Sequence, residues 1–205
     1  MIKVKICGIQ TIEQAKVTVS AGADAIGFVF AESKRKVTVD QAQSIAKEIP
    51  SSVKKVGVFV NASKDELEAT VHGVGLDYVQ LHGDESPKFC RSLNLPYIKA
   101  FRINEAQDLS KLESYDNASY FLLDSATGPY QGGNGTSFDW RLLKNKAIDS
   151  ERIILAGGLN EGNVQEAIRQ TRPAMVDVSS GVETNGIKDT YKIKNFIQKA
   201  KERLI

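Results

Sequence analysis

The sequence predicts an α/β protein built as one closed barrel of eight parallel strands, a single domain over residues 1–205. Three observations carry this. Short β-branched runs alternate with stretches of helical period from the first residues to the last, which is the mark of repeated βαβ units. There are eight such runs at regular spacing, each followed by a helix-like segment, so no strand is left over. At 205 residues the chain is short for two domains and sufficient for one (β/α)8 barrel of the TIM type. A doubly wound open sheet is the alternative architecture, and the regular spacing favours closure.

The strands are expected, in order, at Lys3 to Ile6, Ala25 to Phe30, Lys55 to Val60, Tyr78 to Leu81, Tyr97 to Phe101, Tyr120 to Leu123, Arg152 to Leu155 and Met175 to Val178. Helix starts fall between them. Thr38-x-x-Gln41 and Ser63-x-x-Glu66 are capping-box patterns, and Ser86-Pro87 sets an N-cap before a proline at the first helical position. Asp189 opens a last helix running to about Arg203, with Ile193, Phe196, Ile197, Ala200 and Leu204 on one face. The longest loop, from Ser125 to Ser137, follows the sixth strand and holds Gly128, Gly132, Gly133 and Gly135. A loop of that length and composition is expected to be a lid over the site.

Composition narrows the function classes. With 41% hydrophobic and 25% charged residues the chain can bury an ordinary core without disulfides. A net charge of +2 with no run of like charge gives no footprint for nucleic acid or for a membrane surface. No signal peptide or apolar run of membrane-spanning length is present. Cys7 and Cys90 have no metal-like spacing, so the expectation is a cytoplasmic protein with reduced thiols and a small-molecule partner, monomeric or homodimeric.

In such a barrel the active site lies at the C-terminal ends of the strands. Those ends carry Cys7-Gly8, His82-Gly83, Arg102, Asp124, and Asp177 ahead of Ser179-Ser180-Gly181. A lone cysteine is usually a small buried hydrophobe, and Cys90, in mid-helix, keeps that reading; the position of Cys7 at a strand end makes it a candidate catalyst. Asp124 ends an apolar strand, where a carboxylate is expensive unless it has a task or serves as a turn residue. His82 can be a supporting group or simply bond its own loop. Ala156-Gly157-Gly158-Leu159 and Ser179-Ser180-Gly181-Val182 follow strands seven and eight, the two loops that hold phosphate in many barrels, which makes Gly157, Gly158, Ser180 and Gly181 the phosphate candidates. Neither segment is a nucleotide-binding fingerprint.

Several segments together resemble one family. They are Lys5-Ile6-Cys7-Gly8-Ile9, Gly22 through Phe30, Ser33-x-Arg35, Val79-Gln80-Leu81-His82-Gly83, Gly132-Gly133-x-Gly135-x-x-Phe138-Asp139-Trp140, Ala156-Gly157-Gly158-Leu159 and Val176 through Glu183. Across essentially the whole chain they are similar to phosphoribosylanthranilate isomerase. The resemblance implies an Amadori rearrangement of a phosphorylated aminosugar without metal or cofactor. It implies Cys7 as general base, Asp124 as general acid, Arg35 on the anthranilate carboxylate, and Asp177 supporting the substrate; His82, read from its strand-end position, is a further candidate to bind it. Chemistry of this kind needs one acid and one base. Asp124 would have to be raised from about 3.9 towards 7, roughly 4 kcal/mol of penalty on its charged form. Cys7 would need a neighbouring cation or helix terminus to favour its thiolate.

Three rivals fit less well. The related isomerase of histidine biosynthesis resembles this barrel but has an aspartate where Cys7 stands. Indole-glycerol-phosphate synthase resembles it too, with extra N-terminal helices, whereas this sequence enters its first strand at once. A non-catalytic sugar-phosphate-binding barrel would keep Gly157, Gly158 and Ser180 but would need neither Cys7 nor Asp124.

Overall fold

Strands buried on both faces read as almost unbroken apolar runs, and Tyr120-Phe121-Leu122-Leu123 is one of them. In the computed structural model, which describes residues 2–125, 139–143 and 149–202, these runs form eight parallel strands. They are β1 Lys3–Cys7, β2 Ala25–Val29, β3 Lys54–Phe59, β4 Tyr78–Leu81, β5 Tyr97–Ile103, β6 Tyr120–Ser125, β7 Ile153–Leu155 and β8 Met175–Val178. They pair in chain order, and β8 returns to β1 through Lys3 to Ile6 against Met175 to Val178, closing the barrel. The expected strands therefore stand, with ends shifted by two residues at most.

Alternation along each strand sorts the side chains into two cores. Ala25, Val56, Ile98, Ala100, Leu122, Ile154, Ala156 and Met175 form one buried cluster, the filling of the barrel. Their neighbours on the opposite strand face, among them Val4, Ile6, Ile26, Phe28, Val79, Leu81, Leu123 and Val176, belong to the layer between sheet and helices. Each fully buried Ile, Leu or Phe contributes roughly 1.5–3 kcal/mol.

The helices on the outside are α1 Ile12–Ser20, α2 Val39–Ala46, α3 Lys64–Val74, α4 Pro87–Arg91, α5 Val164–Thr171 and α6 Thr190–Lys201. Thr38 caps α2 with both arms of the capping box, Ser63 caps α3 by accepting from the Glu66 N–H, and Ser86 caps the five-residue α4. Asp189 accepts from the N–H groups of Tyr191 and Lys192, and α6 buries Ile193, Phe196, Ile197 and Ala200; Arg203 and Leu204 lie outside the described residues. After β5 the connector is a 3-10 helix, Ala106–Ser114, rather than an α-helix. Its two buried apolar residues, Leu109 and Leu112, are three apart, the repeat of a 3-10 helix. Beyond Ser125, the lid expected up to Ser137 and the Gly132 to Phe138 motif lie outside the described residues. A two-stranded hairpin, β9 Glu183–Thr184 and β10 Ile187–Lys188, precedes α6. No described helix is long and apolar enough to cross a membrane.

Candidate active site

Because all eight strands are parallel, their reactive C-terminal residues collect at one mouth. Cys7 ends β1 with its side chain turned inward and 8% of its surface exposed. Its register partner on β2 is Gly27, which makes room for the thiol. The Ser179 hydroxyl donates to the Cys7 carbonyl at 3.0 Å. Two cations, Lys5 and Lys188, favour its thiolate, yet burial outweighs them and pushes the thiol above its ordinary range. The expected cations are therefore present, but they do not bring Cys7 down: taking a thiolate out of water costs more than two lysines, each already paired with a carboxylate, return.

Lys5 lies two residues before Cys7 on the same inward face and is wholly buried. Its Nζ donates to Asp177 Oδ2 at 3.0 Å and to Gln80 Oε1 at 2.9 Å. Burial disfavours its charge, but Asp177 and Cys7 outweigh that and hold the ammonium above its usual range. Gln80 in turn places its Nε2 3.1 Å from His82 Nδ1. On the far side of the same ring, His82 Nε2 stands 3.7 Å from Asp124 Oδ2. Burial, together with Lys5, Lys99 and Arg102, lowers the imidazole to about 3, so His82 is neutral at physiological pH. It does not bond its own loop; that loop is held by Glu85, which accepts from the N–H groups of Asn61 and Gly83 and pairs with buried Lys99 at 2.9 Å.

Asp124, 4% exposed, is the inward residue of β6 opposite Arg102 in register. Burial raises its carboxyl to about 6; Asp177 adds to the rise, while the Ser125 N–H, Arg102 and Lys5 oppose it. This corresponds to about 3 kcal/mol against the charged form and leaves roughly a tenth of the carboxyl protonated at pH 7. Gly157 reaches the carboxyl from β7: at φ +80° it adopts a left-handed conformation, and a Cβ there would lie 2.8 Å from Asp124 Oδ1.

Arg35, 8% exposed, spends two donors on Glu183, Nε to Oε1 at 2.6 Å and Nη2 to Oε2 at 2.9 Å. Lys188 completes this knot, donating to Glu183 at 2.7 Å and to the Ser179 carbonyl at 3.0 Å. Burial alone would raise Glu183, but the Arg35 and Lys188 contacts hold it below the usual carboxylate range. The two glycine loops meet, since Gly181 packs against the Leu159 carbonyl, and Asn160 and Asn163 hold the Gly158 carbonyl. Ser180 begins a 3-10 turn, Ser180–Val182, beside them. Among the described residues, five buried side-chain atoms have no hydrogen-bond partner: Thr18 Oγ1, Trp140 Nε1, His82 Nε2, Ser125 Oγ and Asp177 Oδ1. Such atoms are costly unless something meets them, and the last three lie on residues that ring the mouth.

A family model described as N-(5'phosphoribosyl)anthranilate (PRA) isomerase matches residues 4–199. The chain belongs to this isomerase family. An N-(5'-phosphoribosyl)anthranilate isomerase from Bacillus cereus strain Q1 is 52% identical over 202 residues, covering 98% of each chain. One from Listeria monocytogenes serotype 4b is 50% identical over 198 residues, covering 97% of this chain and 98% of that one. Of solved structures, the phosphoribosyl anthranilate isomerase of Thermotoga maritima superposes with a TM-score of 0.89 at 42% identity, covering 98% of this chain and 99% of that one. A phosphoribosyl anthranilate isomerase in complex with reduced 1-(o-carboxyphenylamino)-1-deoxyribulose 5-phosphate matches with a TM-score of 0.87 at 40% identity and the same coverage.

As a phosphoribosylanthranilate isomerase family member, the chain brings every candidate named from sequence to one end of its barrel. Four buried side chains there were not singled out: Lys5, Gln80, Glu183 and Lys188. The alternation Lys5-Ile6-Cys7 and Gln80-Leu81-His82 was the available signal, since it puts Lys5 and Gln80 on the inward face below Cys7 and His82.

Proposed function

We propose that the chain catalyses the Amadori rearrangement of N-(5-phosphoribosyl)anthranilate to 1-(o-carboxyphenylamino)-1-deoxyribulose 5-phosphate, a step of tryptophan biosynthesis. Full-length membership of the isomerase family carries this reading. The arrangement of the mouth supports a division of labour. Asp124, raised to about 6 by burial, gives its proton to the ring oxygen as the C1′–O bond breaks and the aniline nitrogen forms an iminium. Cys7 as thiolate then takes the C2′ proton, the C–H electrons neutralise the iminium, and the enolamine tautomerises to the ketone. Asp124 loses one proton, Cys7 gains one, and the tautomerisation moves the 2′-hydroxyl proton to C1′, so the rearrangement is internal and no electrons remain for a redox cofactor to carry.

The remaining roles follow from what each group still has to give. Arg35 keeps its Nη1 donors beyond those spent on Glu183, and these suit the anthranilate carboxylate. His82 and Asp177 line the place of the sugar, and Asp177 Oδ1 offers it an acceptor. Gly157, Gly158, Ser180 and Gly181 would receive the phosphate through backbone N–H groups. Both cysteines are free and buried, which fits a reducing, cytoplasmic setting. A monomer or homodimer is the expected assembly; one neighbour is described as monomers of the dimeric isomerase from Thermotoga maritima. The deciding assay follows the fluorescence of phosphoribosylanthranilate: the purified chain should speed its disappearance, and a rate equal to the uncatalysed background would remove the proposal.

A further inference from the structure

A file of buried polar groups crosses the barrel from strand to strand, and its direction is set by chemistry. An ammonium has only donors. Lys5 Nζ, wholly buried, therefore donates at each of its side-chain contacts, Asp177 Oδ2 and Gln80 Oε1 among them. With its oxygen committed to Lys5, Gln80 can turn only its NH2 towards His82, 3.1 Å away. His82 Nδ1 must then accept. Because a neutral imidazole carries one proton, that proton sits on Nε2, the nitrogen that faces Asp124 Oδ2 at 3.7 Å and has no other partner.

We propose that Lys5 and Gln80 are positioning residues that lock His82 in the Nε2–H tautomer, so that an N–H and not a lone pair faces the carboxyl of Asp124. The proposal rests on reading Asp124 as the general acid. With the opposite tautomer, a bare imidazole nitrogen would face the protonated carboxyl and compete for the proton that must go to the substrate. With the locked tautomer His82 cannot accept that proton, and its N–H is in place to meet the carboxylate oxygen that proton transfer leaves behind. Gln80 thus acts through His82 and touches no reacting atom. Lys5 serves two sites: it orients the amide of Gln80 and places positive charge beside Cys7.

The chain has two histidines, His72 exposed on α3 and His82 at the mouth, so imidazole 15N spectra of the full-length enzyme hold only two rings to assign. His82 should show the neutral Nε2–H pattern throughout roughly pH 5–8. In Gln80→Glu the carboxylate still accepts from Lys5 but presents an oxygen to Nδ1, so His82 should move to the Nδ1–H form. The value of kcat should fall at least about tenfold, part of what an acid–base group supplies, with a smaller change in KM. If Gln80→Glu fails to fold, Gln80→Leu removes the amide at similar size, and His82 should then populate both tautomers with a like loss of kcat. An Nδ1–H wild-type spectrum, an unchanged tautomer in both variants, or a switched tautomer with unaltered kcat would each overturn the proposal. Failure of the acid assignment is seen separately, as near-wild-type kcat in Asp124→Asn.

Discussion

Gly27 and Cys7 are register partners on adjacent strands, and the thiol occupies the space beside Gly27 so fully that a Cβ on Gly27 would stand 2.8 Å from Sγ and 3.1 Å from the Cys7 Cα. Real carbon atoms do not approach sulfur so closely, so Gly27→Ala must displace the side chain or β1 itself. We expect a loss of about 1–3 kcal/mol in stability from overpacking, and a drop in kcat larger than that loss accounts for at temperatures where the variant is fully folded. Urea unfolding and steady-state kinetics on one preparation measure both. A folded variant with wild-type kcat would mean that the position of Cys7 does not matter to the reaction.

The pH profile of kcat/KM should be a bell whose limbs follow the free enzyme. Asp124 titrates at about 6 and Cys7 above the usual thiol range, so thiolate with protonated carboxyl is a small minority of the singly protonated enzyme. The minority share is constant between the two values. Activity should therefore fall below pH 6, where both groups hold protons, and again at alkaline pH, where both have lost them. A profile still rising with pH through neutrality, with no limb near 6, would contradict the assignment.

Cys7→Ser and Asp124→Asn should each reduce kcat by on the order of 100-fold or more while substrate binding survives, because neither group is assigned to recognition. Isothermal titration with the reduced product tests binding. Lost affinity with intact kcat would move both residues to substrate recognition.

Asp124→Asn should also stabilise the fold at neutral pH. The carboxyl has a higher pKa folded than unfolded, so the native state binds more protons and loses stability as pH rises from about 4 to 6. Asn lacks the charge that is penalised, which makes the gain up to about 3 kcal/mol above pH 7 and close to nothing below pH 4. Denaturation of both proteins across this range gives the difference directly; a gain of equal size at all pH values would assign it to packing.

Arg35→Lys should raise KM substantially, since a lysine reproduces neither the two-point contact with Glu183 nor a second pair of donors for a carboxylate. Glu183→Gln, which loosens the same guanidinium, should raise KM in the same direction with less effect. Unchanged KM in Arg35→Lys would return Arg35 to a purely structural part.

Inorganic phosphate or sulfate should settle where Gly157-Gly158 meets Ser180-Gly181, as backbone donors there await the substrate's phosphate. A sulfate-soaked crystal with an open mouth and no anion at that place would set this assignment aside.

Much of this was legible in one dimension. Hydrophobic period and capping residues act over a few positions, so eight strands, the order of the helices and the strand-end residues Cys7, His82, Asp124 and Asp177 could be read directly. The connector after β5 was legible as helical but not as 3-10, because a spacing of three between Leu109 and Leu112 serves either form until packing chooses. Alternation also carried the inward placement of Lys5 and Gln80, although neither was named from it as a site candidate. Their partners could not be read, because Lys5 meets Asp177 across 172 positions of chain and Arg35 meets Glu183 across 148. The direction of each titration belonged to the tertiary structure as well. Desolvation and Coulomb attraction depend on distances through space, and at Cys7 they oppose one another, so it is the closed barrel, with both lysines already paired to carboxylates, that decides for the neutral thiol.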